Sequence, residues 1–98
     1  MVAIKLPQKQ IAEFCRQNGI QRLAVFGSAL RDDFTPESDV DVFVEFEPGK
    51  TPGFRFFGIQ QDLSEMIGRN VDLNTEGFLS KYIRDKVLAE AVTIYDGS

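Results

Sequence analysis

Asp39 and Asp41 stand one residue apart, and ten residues separate them from an upstream Gly27-Ser28 pair. On a β-strand, alternate side chains share a face, so the two aspartate Cα atoms would lie roughly 6.5 Å apart on one side of a sheet. Both carboxylates could then reach one Mg2+, or a pair, at oxygen distances of about 2.0–2.1 Å. A third carboxylate, Asp72, sits between Val71 and Leu73 and must face away from them on a short strand. If that strand neighbours the first, Asp72 joins the pair. Three carboxylates around one point repel unless a cation lies between them. Gly27 permits a close backbone approach. Ser28 offers a hydroxyl and an N–H near a helix start, where phosphates are favoured. Arg31 follows one turn on and could grip a phosphate oxygen as a bidentate donor, or else pair with Asp32, Asp33 or Glu37. The chemistry these residues suit is metal-dependent transfer of a nucleotidyl group.

Each feature has a plainer reading. Gly-Ser alone is a strand-to-helix turn with a serine N-cap. Alternating aspartates can line the wet face of a half-exposed sheet, although Asp is disfavoured in strands. The combination, a Gly-Ser turn placed between an apolar strand and an Asp-x-Asp strand, is more specific than its parts. Glu45 and Glu47 read as surface groups at a strand end. Phe54, Phe56 and Phe57 read as core and helix entry rather than as a base-stacking platform.

The elements that must position these groups alternate along the chain. Pro7 to Asn18 reads as a helix with Ile11, Phe14 and Cys15 on one face and Gly19 as its stop. Leu23 to Phe26 is a short buried strand, followed by a short helix from Ser28 to about Asp32 and a turn at Thr35 to Ser38. Asp39 to Phe46 is the clearest strand, and Glu47 to Gly53 a Pro/Gly loop. A second long helix spans Phe56 to Ile67, with Phe56, Ile59, Leu63, Met66 and Ile67 on one face and Gly68 ending it. Val71 to Leu73 is a strand, Leu79 to Ala91 a helix with Leu79, Tyr82, Ile83 and Val87 on one side, and Val92 to Tyr95 a last strand. This alternation predicts an α/β (α+β) fold, a sheet with helices packed on it, formed as a single domain over residues 1–98.

With 98 residues, 43% hydrophobic and nine Phe, the chain can build a real though small core. The net charge is -4 and the eleven cations are scattered, which argues against independent nucleic-acid binding. There is no His, which excludes His-based triads and His-ligated zinc. Cys15 is the single cysteine, so no internal disulfide forms, and it reads as a small core residue. The sequence has neither a signal peptide nor a run long enough to span a membrane, so a cytoplasmic location is the expectation.

The residues Val25-Phe26-Gly27-Ser28, Arg31, Ser38-Asp39-Val40-Asp41, Val44-Glu45-Phe46 and Val71-Asp72-Leu73 resemble the minimal nucleotidyltransferase family, a branch of the DNA-polymerase-β-like superfamily. The resemblance covers nearly the whole chain. It implies a nucleotidyltransferase fold, a short mixed sheet with helices against it. It implies that Asp39, Asp41 and Asp72 bind Mg2+, with Asp72 completing the site as a base for the attacking hydroxyl. Gly27 and Ser28 would cradle the phosphates of ATP, with Arg31 beside them. Members are commonly encoded beside a HEPN-type toxin and act as its antitoxin, some by moving AMP from ATP to a tyrosine of the toxin. Two positions depart from the family's habit: Leu30-Arg31-Asp32 stands where Ala-Arg-Gly is frequent, and Asn74 follows Leu73.

Three other readings compete with an adenylyl-transferring antitoxin. The chain could neutralise a toxin by binding alone. It could act on a small molecule, although no acceptor-binding domain is visible in so short a sequence. It could be one subunit of a site completed by another chain.

Overall fold

Glycine and apolar periodicity divide the chain into seven described elements. The computed structural model describes residues 6–27, 39–75 and 81–97, with side chains from 84 onward in the last segment. These elements are α1 (Gln8–Gln17), β1 (Ile20–Phe26), β2 (Val40–Phe46), α2 (Arg55–Ile67), β3 (Val71–Asn74), α3 (Lys81–Glu90) and β4 (Val92–Asp96). The strands form one sheet in the order β3-β2-β1-β4. β1 runs antiparallel to both β2 and β4, and β2 runs parallel to β3. This is the short mixed sheet that the family resemblance implies. The expected short helix after Ser28 and the turn at Thr35 to Ser38 lie outside the described residues, as do Leu79 and the side chains of Tyr82 and Ile83.

Strand alternation splits the sheet into two faces. Val40, Val42 and Val44 of β2 point into the main core, which they share with Leu23 and Val25 of β1 and with Val71 and Leu73 of β3. α1 closes this core with Ile11 and Cys15, and α2 with Ile59 and Leu63. Burying each of these large side chains stabilises the fold by about 1.5–3 kcal/mol. The opposite face is not simply wet. Phe43, two residues beyond Asp41, is only 1% exposed and packs with Phe26 and with Val87 of α3 in a second, smaller cluster. The third helix therefore covers the part of this face that adjoins the carboxylates.

The first two helices end where the sequence indicates. Gly19 and Gly68 take positive φ, +68° and +76°, as left-handed stops. β1 begins at Ile20, three residues before the expected Leu23, and Ile20 pairs with Phe46 across a register shift. Polar Gln21 and Arg22 hide this extension from a hydrophobicity reading. The Phe segment is corrected in part. Only Phe56 packs against the core, whereas Phe54 is 93% and Phe57 66% exposed. At about 100° per residue, the helix that turns Phe56, Ile59 and Leu63 inward turns Phe54 and Phe57 out.

α2 also seals the outer edge of the sheet. Ser64 Oγ accepts a hydrogen bond from the Val71 N–H at 3.0 Å, and Gln60 Oε1 accepts from the Leu73 N–H at 2.9 Å. Edge N–H groups of this kind would otherwise be open to another strand. The Ser64 carbonyl also accepts from the N–H groups of Gly68 and Arg69, so one serine anchors the whole turn between α2 and β3.

Candidate functional site

Strand register sets two of the predicted carboxylates, Asp41 and Asp72, on neighbouring strands side by side. In the parallel pair, Asp41 of β2 lies directly opposite Asp72 of β3, which sets their Cα atoms about 4.8 Å apart. Val71 and Leu73 are buried and Asp72 between them is exposed, so its carboxylate leaves the core side. Asp41 is half-buried, and Asp39, immediately before β2, is exposed. The sequence condition for a three-carboxylate site, that the two strands be neighbours, is met.

On its other side Asp41 pairs with Phe26, the last residue of β1. Gly27 comes next, with φ +72°. A Cβ at Gly27 would collide with Asp41 Oδ2 and lie 3.2 Å from its Cγ. The glycine therefore opens the space that the Asp41 carboxylate fills, a more specific role than turn formation. Ser28 and Arg31, the other two nucleotide-binding candidates, lie outside the described residues.

Asparagines flank the acidic strands. Asn70 Nδ2 donates to Asp39 Oδ1 at 3.0 Å, and the Asn70 carbonyl accepts from the Val40 N–H at 2.8 Å. Asn74 Nδ2 donates back to the Asp72 carbonyl at 3.0 Å. Sequence reasoning missed Asn70. Its signal was present in retrospect, since a parallel pairing of Asp72 with Asp41 sets the residue before Val71 beside Asp39.

Glu45 and Glu47 behave as surface groups. Arg22 Nη1 pairs with Glu45 Oε1 at 3.2 Å and Lys50 Nζ with Glu47 Oε2 at 3.5 Å. Both lie at the end of β2 away from Asp39. Cys15 is fully buried, and burial pushes its thiol up to about 12 despite the opposing charge of Arg16. It belongs to the core, not to the site.

Among the described residues, no three carboxylate or thiol side chains already form a metal-binding group. The fold supplies instead the backbone arrangement for one: Asp39 and Asp41 on one strand, with Asp72 beside Asp41 on the next. An all-oxygen, all-anionic donor set favours a hard cation such as Mg2+ over zinc or copper. Two or three such carboxylates can hold a divalent cation.

The chain is similar to known proteins over most of its length. The family model for the nucleotidyltransferase domain matches residues 8–94. A Methanocaldococcus jannaschii protein bearing the name "Putative protein adenylyltransferase" is 30% identical over 87 residues, 89% of this chain and 92% of its own. The protein adenylyltransferase MntA of Thermococcus cleftensis is 34% identical over 77 residues, covering 78% of this chain and 76% of that one. Among solved structures, one described as a "putative minimal nucleotidyltransferase" superposes with a TM-score of 0.73 at 32% identity, covering 87% and 86% of the two chains. A tri-AMPylated Shewanella oneidensis HEPN toxin in complex with its MNT antitoxin gives a TM-score of 0.62 at 21% identity, over 91% of this chain and 69% of that one, which shows a common fold.

Proposed function

Because this chain belongs to the nucleotidyltransferase domain family, we propose that it transfers AMP from ATP, with Mg2+, to a tyrosine hydroxyl of a HEPN-type toxin, and that this neutralises the toxin. The observation that carries the proposal is the register that sets Asp72 beside Asp41, with Gly27 clearing the space for the Asp41 carboxylate. The relatives named as protein adenylyltransferases support a protein as acceptor. The toxin–antitoxin complex supports a HEPN partner.

Asp39, Asp41 and Asp72 would hold the metal. When bound, Mg2+ offsets the negative charge that develops on the attacking and leaving oxygens. The remaining work falls to the chain. Gly27, with Ser28 and Arg31 after it, cradles the triphosphate so that the α-phosphorus faces Asp72. The Asp72 carboxylate orients the incoming hydroxyl and takes its proton. The hydroxyl oxygen bonds to the α-phosphorus as the bond between that phosphorus and the bridging oxygen to the β-phosphorus breaks. Pyrophosphate leaves with the electron pair. Holding the reacting groups in line is the main contribution expected of such a site.

The test is incubation with α-labelled ATP and Mg2+, with and without the product of the adjacent gene. Label on the partner, lost in Asp41→Asn, establishes protein adenylylation, and mapping the labelled residue tests tyrosine. A stable complex that stays unlabelled while the toxin is neutralised would replace this reading with antitoxin action by binding alone.

A further inference from the structure

We infer that Asn70 is a positioning residue for Asp39, fixing the carboxylate in the orientation that receives the metal; this rests on the nucleotidyl-transfer reading above. Two contacts hold the pair together. The Asn70 carbonyl accepts from the Val40 N–H at 2.8 Å, which fixes Asn70 beside the start of β2. From that anchor its amide donates to Asp39 Oδ1 at 3.0 Å.

The chemistry of the contact is one-directional. An ionised carboxylate only accepts, so the NH2 end of the amide must face it. A hydrogen bond to a charged acceptor is stronger than a neutral one. It restrains rotation of the carboxylate about Cβ–Cγ while leaving the oxygens with lone pairs for a cation. Asp41 lies inside a strand paired on both sides, with Phe26 and with Asp72, whereas Asp39 precedes β2 and is exposed.

Asn70 is itself held from behind. The three residues Gly68, Arg69 and Asn70 join α2 to β3, and Ser64 anchors both ends of that turn through its carbonyl and its hydroxyl. The orientation of Asp39 is thus set by a chain of contacts from α2 through the turn, none of it part of the Gly-Ser or Asp-x-Asp pattern. Partners of this outer kind orient metal-binding carboxylates, and their loss typically weakens metal binding 10–100-fold.

The experiment measures Mn2+ affinity by electron paramagnetic resonance in protein saturated with α,β-methylene-ATP, which cannot release the α-phosphoryl group. Asn70→Ala and Asn70→Leu both remove the donor, and Leu keeps nearly the same shape. Each should bind Mn2+ about tenfold more weakly while melting as wild type does. Asn70→Gln keeps an amide donor and should recover most of the loss. Wild-type affinity in either donor-free variant, or a Gln variant as weak as Ala, overturns the inference and leaves the transfer reading intact. If neither donor-free variant folds, Asn70 serves the turn rather than Asp39, and the inference fails. If wild type shows no Mn2+ binding that Asp39→Asn reduces, the nucleotidyl-transfer reading fails and this inference with it.

Discussion

Replacing Gly27 with alanine should damage activity far more than stability, and a second glycine supplies the control. Gly27 has φ +72° and Gly49 has φ +79°. An L-residue in this left-handed region costs roughly 1–2 kcal/mol. That strain alone should lower the melting temperature of either alanine variant by about 4–16 °C in a domain of this size. The two sites differ in their surroundings. An added Cβ at Gly49 meets nothing within 4 Å, whereas at Gly27 it collides with Asp41 Oδ2 and lies 3.2 Å from Cγ and 3.4 Å from Cβ of Asp41. Ordinary contact would require the carboxylate to swing away by on the order of 1 Å, and a misplacement of that size can cost about 10²-fold in rate.

Initial rates of label transfer should therefore fall about 100-fold in Gly27→Ala and stay within about twofold of wild type in Gly49→Ala. Melting temperatures of the two variants should be similar. Equal activity losses in the two would refute the reasoning, because they would trace the effect to backbone strain instead of to the carboxylate. A Gly27→Ala protein with wild-type rate would show that Asp41 does not need the space and is not held where the transfer occurs.

Other perturbations test the scaffold. Cys15 should resist alkylation in the native protein and react once the chain is unfolded, since its thiol is fully buried. Its folded pKa of about 12 exceeds the ordinary 9.0. Above pH 9 the unfolded chain loses this proton while the folded one keeps it, so stability falls as pH rises from 9 toward 12, by about 1.4 kcal/mol per unit at most; urea midpoints of wild type and Cys15→Ala at pH 8 and 10.5 would show whether this residue is the source. Gln60→Ala leaves the Leu73 N–H without its side-chain acceptor and should cost about 1–3 kcal/mol in urea unfolding. Arg22→Ala removes a pair with Glu45 and hydrogen bonds to Thr93 Oγ1 at a partly solvated site, and should cost about 1 kcal/mol in the same assay.

Much of this fold was legible because it obeys short periods. Ile11, Cys15, Ile59 and Leu63 are buried as helical spacing requires, and Val40, Val42 and Val44 as strand alternation requires. The three aspartates could be singled out because charge is costly in a strand unless it has a use. What was illegible depends on pairing. That β2 and β3 are parallel neighbours, that Asp41 faces Asp72, and that Asn70 reaches Asp39 all follow from register between segments some thirty residues apart, which no local pattern encodes. Phe43 is a related case. It shares a face with Asp41, and its burial depends on Val87 of α3, more than forty residues away. Phe54 and Phe57 failed for the opposite reason: three Phe within four residues suggest core, but only Phe56 lies on the inward side of α2.

Register also explains how so short a strand as β3 can hold Asp72 in a fixed place. Its four residues pair with β2 on one side alone, and a slip of one residue would turn Asp72 into the core and Val71 or Leu73 into solvent. The apolar pair opposes that slip, and so do the two contacts from α2. Ser64 Oγ takes the N–H of Val71 and Gln60 Oε1 that of Leu73, at positions four apart on one helix and two apart on the strand. One turn of α-helix rises about 6 Å over four residues and two strand residues span about 6.6 Å, so only one alignment satisfies both acceptors. The polar side chains of α2 are thereby tied to the placement of Asp72 on the far face of the sheet. This predicts that losing both contacts in Gln60→Ala/Ser64→Ala reduces transfer by more than the product of the single losses, because either contact alone still fixes the register. Strictly multiplicative effects would mean that the buried Val71 and Leu73 hold the register by themselves.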